Sequence, residues 1–266
     1  MKSPLRYPGG KSKLLKQILK FKPTNVKEYR EPFLGGGSLF FHLLDDKSIE
    51  VFKASDTFPE LINFYQAMLE SPPELFSSVQ HFKMTYGAHD LFTTCKELIA
   101  NAETGAVDRA AAFFVLNRIT FSGLTLSGGF SKASYEGRFN KSHMEKVKNF
   151  ENLNASIDIR ERSYETLLHE ESSRSVWIFL DPPYDIKSDN LYGKNGAGHK
   201  GFDHVKLAEE CKECKHPFLI TYNDNETIRK LYQDWAYIHE VDVIYSMNSS
   251  AKRKKELFIT NYKVEQ

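Results

Sequence analysis

Residues 176–180, Val-Trp-Ile-Phe-Leu, are five consecutive apolar side chains, two aromatic and two β-branched, and they stop at Asp181-Pro182-Pro183-Tyr184. A run this short and this uniformly apolar reads as a strand buried on both faces, the kind found in parallel sheets covered by helices. The prolines cannot continue it, because each fixes φ and has no N–H to donate. The chain is thereby constrained to an α/β class in which a central strand delivers a carboxylate at its carboxyl end, the edge where open α/β sheets bind ligands.

The two prolines also stiffen the backbone beyond Asp181 and leave its carbonyls as uncommitted acceptors. A carboxylate beside a peptide carbonyl is matched to an exocyclic amino group, which has two hydrogens to donate. Tyr184 adds an aromatic face for a planar heterocycle. Acceptors that hold both hydrogens leave the nitrogen lone pair aimed at an electrophile, so the pattern points to methylation of an amine. From these residues alone the alternative is a strand ending in a Pro-rich turn, with Asp181 as a local cap.

Upstream, residues 28–33 read as a strand, Leu34-Gly35-Gly36-Gly37 as a turn, and Ser38 as the opening of a helix through Phe40, Phe41, Leu43 and Leu44. Strand, glycine turn and helix form the first unit of a nucleotide-binding sheet, although a plain tight turn fits the glycines equally well. A second strand over 49–55 ends at Asp56, about 20 residues beyond the turn, where an acid can accept from both ribose hydroxyls. Before both, Pro4-Leu5-Arg6-Tyr7-Pro8-Gly9-Gly10-Lys11 runs into a helix with apolar positions at Leu14, Leu15, Ile18 and Leu19 and places Lys11 at or near its start, beside N–H groups that favour anions. It lacks the spacing and the preceding strand of a phosphate loop.

Between about 58 and 105 the apolar spacing is helical, with stripes at Leu61, Ile62, Phe64, Tyr65, Met68, Leu69 and at Leu75, Phe76, Val79, Phe82; a further helix spans 107–119. This stretch breaks the βα rhythm and reads as an insertion. Residues 120–142 interleave glycine, serine, aromatics and basic residues, as expected of a loop or hairpin meeting DNA, with Arg118, Lys132, Arg138 and Lys141 as candidate phosphate or guanine contacts. A solvated surface loop is the alternative. The rhythm resumes with a strand over 156–162 and a short helix over 165–169. Residues 185–201 suit a lid over the site or simply exposed surface. After a helix over 203–214 and a strand over 217–221, two last strands, 237–245 and 256–262, have no helix between them and should pair as an antiparallel hairpin. Their connecting loop carries Lys252, Arg253, Lys254 and Lys255, a further phosphate contact or a solvated turn.

Composition excludes several classes. With 36 Lys+Arg against 35 Asp+Glu, global charge marks no polyanion partner, and any such surface must come from local clusters. No apolar run approaches the ~20 residues of a membrane span, and the N-terminus lacks a signal-peptide core. Three cysteines do not make a disulfide framework, and Cys211-Lys-Glu-Cys214 has no second ligand pair, so no metal is expected. A cytoplasmic protein is expected.

Taken together, Arg6-Tyr7-Pro8-Gly9-Gly10-Lys11, Glu31-Pro32-Phe33-Leu34-Gly35-Gly36-Gly37-Ser38, Asp56 followed by Pro59-Glu60-Leu61-Ile62, and Asp181-Pro182-Pro183-Tyr184 resemble the Dam-like (D12 class, α-group) DNA adenine-N6 methyltransferases. The resemblance spans nearly the whole chain and keeps the order of cofactor motif, recognition insertion and Asp-Pro-Pro-Tyr. It implies an α/β, Rossmann-like methyltransferase fold using S-adenosyl-L-methionine, with a mixed sheet, a C-terminal antiparallel hairpin and a helical target-recognition insertion. The catalytic domain would comprise residues 1–56 and 151–266, and the recognition domain 57–150. Tyr7 and Lys11 would contact the cofactor, Phe33 and Gly35 would line its pocket, Asp56 would bind its ribose, and Ser163 and Tyr164 would shape its adenine pocket. Asp181, next to the cofactor, would hold the target amine with the Pro182 carbonyl, while Tyr184 stacks on a flipped adenine of double-stranded DNA.

The resemblance also implies a prokaryotic or phage-encoded protein, a monomer, with a cognate restriction endonuclease as its companion. N4-cytosine or RNA methylation uses the same amine geometry. A methyltransferase scaffold that binds DNA without activity is the alternative from another class.

Overall fold

The computed structural model describes residues 1–148, 150, 155–184, 201–247 and 250–264; side chains of residues 244–247 and 250–254 are outside the description. In chain order the elements are α1 (Leu15–Ile18), β1 (Glu28–Glu31), α2 (Ser38–Leu43), β2 (Val51–Asp56), α3 (Pro59–Glu70), α4 (Pro72–Thr85), α5 (Ala88–Ala100), α6 (Ala106–Ile119), α7 (Lys132–Arg138) and α8 (Lys141–Met144). They continue with β3 (Ser156–Glu161), α9 (Tyr164–His169), β4 (Val176–Leu180), α10 (His204–Glu213), β5 (Phe218–Asn223), α11 (Glu226–Tyr232), β6 (Tyr237–Met247) and β7 (Ser250–Thr260).

The strands form one seven-stranded sheet in the order β3-β2-β1-β4-β5-β7-β6. The first five are parallel, and β7 runs antiparallel to both β5 and β6. This is the expected α/β mixed sheet with a closing hairpin. All five residues of β4 are buried, as the apolar run required, and Trp177 is fully enclosed. β4 lies between β1 and β5, so the strand that carries Asp181 is central.

β1 is buried throughout despite the sequence Glu-Tyr-Arg-Glu. Its charges are compensated locally. Arg30 Nε donates to Glu28 Oε1 at 2.7 Å, and the same guanidinium donates to the carbonyls of Leu167 and Glu170 at 2.8 and 2.7 Å. On the alternate face the Tyr29 hydroxyl donates to Glu31 Oε2 at 2.6 Å. Buried ions are tolerated only when paired and hydrogen-bonded, as Arg30 and Glu28 are, whereas burial favours the neutral form of Glu31.

The helical stretch after β2 resolves into four long helices. Pro59 and Pro72 stand in the first turns of α3 and α4, where a missing N–H costs nothing. α3 packs against β2 and β3, and one hydrophobic cluster runs from the sheet through Leu61, Phe64, Leu75, Leu91 and Phe114. α6 is buried along most of its length, with Ala110, Ala111 and Ala112 allowing close approach. Among the described residues no helix is long and apolar enough to cross a membrane.

Two local readings are corrected. Residues 120–142 are a loop only in their first half: an antiparallel Thr120–Phe130 bridge closes the turns between them, and from Lys132 the chain forms α7 and α8. Ser131 Oγ accepts from the Ser134 N–H and Asn140 Oδ1 from the His143 N–H, so polar residues that suggested a loop are helix caps. Lys252, Arg253, Lys254 and Lys255 do not form a connecting loop either. They lie in β7, paired with Tyr245, Ile244, Val243 and Asp242 of β6, because the backbone ladder continues through a basic stretch that has little strand propensity. The suggested lid at 185–201 lies outside the described residues except for Gly201.

Candidate active site

A cavity of about 440 Å³ opens at the carboxyl ends of β1, β2 and β4, within the usual range for small-ligand pockets. Of the site residues expected from sequence, Tyr7, Lys11, Phe33, Gly35, Asp56, Ser163, Tyr164, Asp181 and Pro182 all line it. Among the described residues three carboxyl groups, Glu31, Asp56 and Asp181, share this lining with one cation, Lys11; burial keeps Glu31 protonated, so Asp56 and Asp181 carry the negative charge. The excess of acid suits a ligand that carries positive charge, as a sulfonium with an α-ammonium group does.

The glycine turn forms the floor. Gly35 and Gly37 have φ of 45° and 60°, a left-handed conformation open to glycine at little cost. Tyr7 lies so close that a Cβ on Gly36 would come within 2.6 Å of the tyrosine Cβ. Around the turn, Asp56 Oδ2 accepts from the Gly35 N–H at 2.9 Å, and the Tyr65 hydroxyl donates to the Gly35 carbonyl at 2.9 Å. Asp56 Oδ1 also accepts from the Phe58 N–H at 3.1 Å. Burial raises the Asp56 pKa against these hydrogen bonds. Each carboxylate oxygen keeps a second acceptor position, so Asp56 can serve a ribose diol while holding the loop.

Phe33 and Tyr164 stack at 5.3 Å with 25° between their planes, and Phe202 closes on both edges at 5.6 and 6.0 Å. This aromatic wall suits an adenine ring. Ser163 precedes α9 at the rim. The acceptors, the aromatic wall and the negative charge together fit S-adenosylmethionine.

Asp181 follows β4 and is partly exposed. Lys11 does not stand free as an anion site at a helix start. Its Nζ donates to Asp181 Oδ1 at 2.7 Å and Oδ2 at 2.9 Å, and lies 4.7 Å from the centre of the Tyr184 ring. Thr221 Oγ1 donates to Asp181 Oδ1 at 2.9 Å. Tyr184 packs against Tyr222 at 5.9 Å, and burial raises its phenol pKa, with Asp181 adding to the shift. The phenol is therefore a neutral stacking surface at ordinary pH.

Glu31 was not anticipated as a site residue, although it begins the quoted glycine motif. Burial pushes its pKa up to about 8, opposed by the Tyr29 hydrogen bond and reinforced by the negative charge of Asp181.

The DNA candidates separate. Lys132 and Lys141 are exposed, each about 3.9 Å from a glutamate one helical turn on, a weak pairing. Arg138 is exposed, but Arg118 is buried, its guanidinium over the Phe114 ring and its Nε without a partner. Burial, then Arg6 and Arg138, lower the Arg118 pKa to about 9. Arg6, a residue not singled out from sequence, donates to Ser134 Oγ at 3.4 Å, and its backbone is clamped by Asn117 of α6. His143 and Lys146 are depressed by the same group of cations after burial. Among the described residues no ion pair joins Arg6, Arg118 or Arg138 to a carboxylate.

The chain is similar to known proteins along its length. A type II methyltransferase, M.CviBI, of Paramecium bursaria Chlorella virus NC1A is 29% identical over 90% of this chain and 88% of its own. The type II methyltransferase M1.LlaDCHI of Lactococcus lactis subsp. cremoris is 27% identical over 97% and 94%. A DNA N-6-adenine-methyltransferase of Escherichia phage P1 is 27% identical over 88% of this chain but 31% of its own length. The model of the D12 class N6 adenine-specific DNA methyltransferases matches residues 7–247, and the chain belongs to that family.

Proposed function

We propose that this protein methylates N6 of a flipped adenine in duplex DNA through direct, in-line transfer oriented by Asp181, the Pro182 carbonyl and Tyr184. The observation that carries the residue assignment is the placement of Asp181 on the rim of the acidic cavity, at the end of the central strand. S-adenosylmethionine, when bound, supplies an electrophilic methyl group. Asp56 and the Phe33–Tyr164 wall hold the ribose and adenine portions, and Tyr7 keeps the glycine turn in shape. Asp181 and the Pro182 carbonyl accept the two hydrogens of the target amine, leaving its lone pair toward the cavity. Tyr184 offers the face on which the extruded base rests.

The amine of a paired adenine is inside the duplex, so the base must leave the stack before Asp181 can reach it. Holding DNA falls to the uncompensated cations Arg6, Arg118 and Arg138 with Lys132 and Lys141, and to the basic stretch at Lys252 and Arg253 in β7. Burial, then neighbouring arginines, lower the Arg6 and Arg118 pKa values, and a polyanion beside them offsets that repulsion while releasing its own counterions. The names of the two type II relatives favour a restriction endonuclease as a companion.

Duplex DNA treated with the protein and S-adenosylmethionine carrying a deuterated methyl, then digested and analysed by nucleoside mass spectrometry, should contain labelled N6-methyl-2′-deoxyadenosine. Label in N4-methyl-2′-deoxycytidine would move the substrate to the other base with the same amine geometry, and no label would overturn the reading.

A further inference from the structure

The Asp181 carboxylate is held from two sides. A carboxylate has about four acceptor positions, two on each oxygen. Lys11 Nζ takes one on Oδ1 and one on Oδ2, and Thr221 Oγ1 takes the second on Oδ1. Among the hydrogen bonds of the described residues, these leave one position, on Oδ2. Thr221 is fully buried in β5, where its backbone is paired to Phe258 of β7. The parallel register of β4 and β5 pairs Leu180 with Ile220, and one residue further sets Thr221 beside Asp181. Its hydroxyl has a single hydrogen. The Leu180 carbonyl is at 3.5 Å and Asp181 Oδ1 at 2.9 Å, so the carboxylate receives it. A β-branched side chain in a central strand has few rotamers, which makes this hydroxyl a fixed donor.

We infer that Thr221 is a positioning residue for methyl transfer. Together with Lys11 it fixes the plane of the Asp181 carboxylate, fills Oδ1, and reserves the remaining acceptor on Oδ2 for one hydrogen of the target amine. The inference rests on the assignment of Asp181 as the group that holds that amine. Thr221 is set behind Asp181, with its hydroxyl also beside the Tyr184 phenol, and it acts on the reaction through these side chains. Without its hydroxyl the carboxylate can rotate about its last bond on the flexible lysine, and the amine loses its alignment.

Thr221→Val replaces the hydroxyl by a methyl of similar shape, and Thr221→Ser keeps the hydroxyl. Steady-state kinetics on duplex DNA, S-adenosylhomocysteine affinity by calorimetry and thermal melting should be measured for both. For the valine variant kcat is expected to fall about 10- to 100-fold, the range of one charge-assisted hydrogen bond used for orientation. KM for DNA and the affinity for S-adenosylhomocysteine should stay within about twofold, and the serine variant should recover most of kcat. Wild-type kcat in Thr221→Val would overturn the inference. So would an equal loss in Thr221→Ser, or a loss confined to KM, since either assigns Thr221 a packing role. A wild-type protein that fails to methylate DNA would instead remove the underlying assignment of Asp181.

Discussion

Asp56→Asn separates the two tasks of that side chain. In the structure one oxygen accepts from the Gly35 N–H at 2.9 Å and the other from the Phe58 N–H at 3.1 Å. An asparagine has one carbonyl oxygen, so its NH2 group must face one of these donors. A buried donor left without an acceptor costs about 1–3 kcal/mol, and with about 2–4 °C per kcal/mol for a chain of this size the melting temperature should fall by roughly 2–12 °C. The ribose contact loses a charged acceptor, worth about 1.5–3 kcal/mol, or roughly 10- to 150-fold in affinity. Calorimetric titration with S-adenosylhomocysteine, together with thermal melting of the free protein, reads both effects. Affinity in the variant within about threefold of wild type would refute the role given to Asp56, whatever the melting temperature does.

Two further outcomes follow from the charges. Burial raises the Glu31 pKa from 4.5 to about 8, so the folded state keeps a proton that the unfolded chain has already lost. That contribution is complete below about pH 4.5 and is lost as the pH rises toward 8; denaturant unfolding should show wild type losing on the order of a few kcal/mol across this window relative to Glu31→Gln. Equal pH dependence in both would contradict it. Arg138→Ala should weaken DNA binding and reduce the slope of log affinity against log salt by about 0.9, with S-adenosylhomocysteine binding unchanged. An unaltered slope would remove Arg138 from the DNA contacts.

Much of the fold was legible because its central elements have one-sided chemistry. The apolar run of β4 admits little but a buried strand, and the glycine turn and distal Asp56 lie on the cavity lining. β1 was harder, since Glu28, Arg30 and Glu31 give it a surface-like composition; only the pairing partners Leu167, Glu170 and Tyr29 show how it is buried. The helices α7 and α8 were hidden because Ser131 and Asn140 cap helices with the same side chains that favour loops. The basic end of β7 has the composition of a connecting loop because lysines disfavour strands in isolation, whereas a ladder along β6 overrides the preference. Lys11 and Thr221 meet Asp181 across 170 and 40 residues of sequence, and no local pattern records that meeting.

The most direct test of the account is the single-turnover rate of Asp181→Ala on duplex DNA, with its S-adenosylhomocysteine affinity measured on the same preparation. The amine-holding role predicts a fall in transfer of roughly 10³-fold or more while the ligand still binds measurably. Transfer at the wild-type rate, or a loss of transfer fully matched by loss of ligand binding, would contradict it.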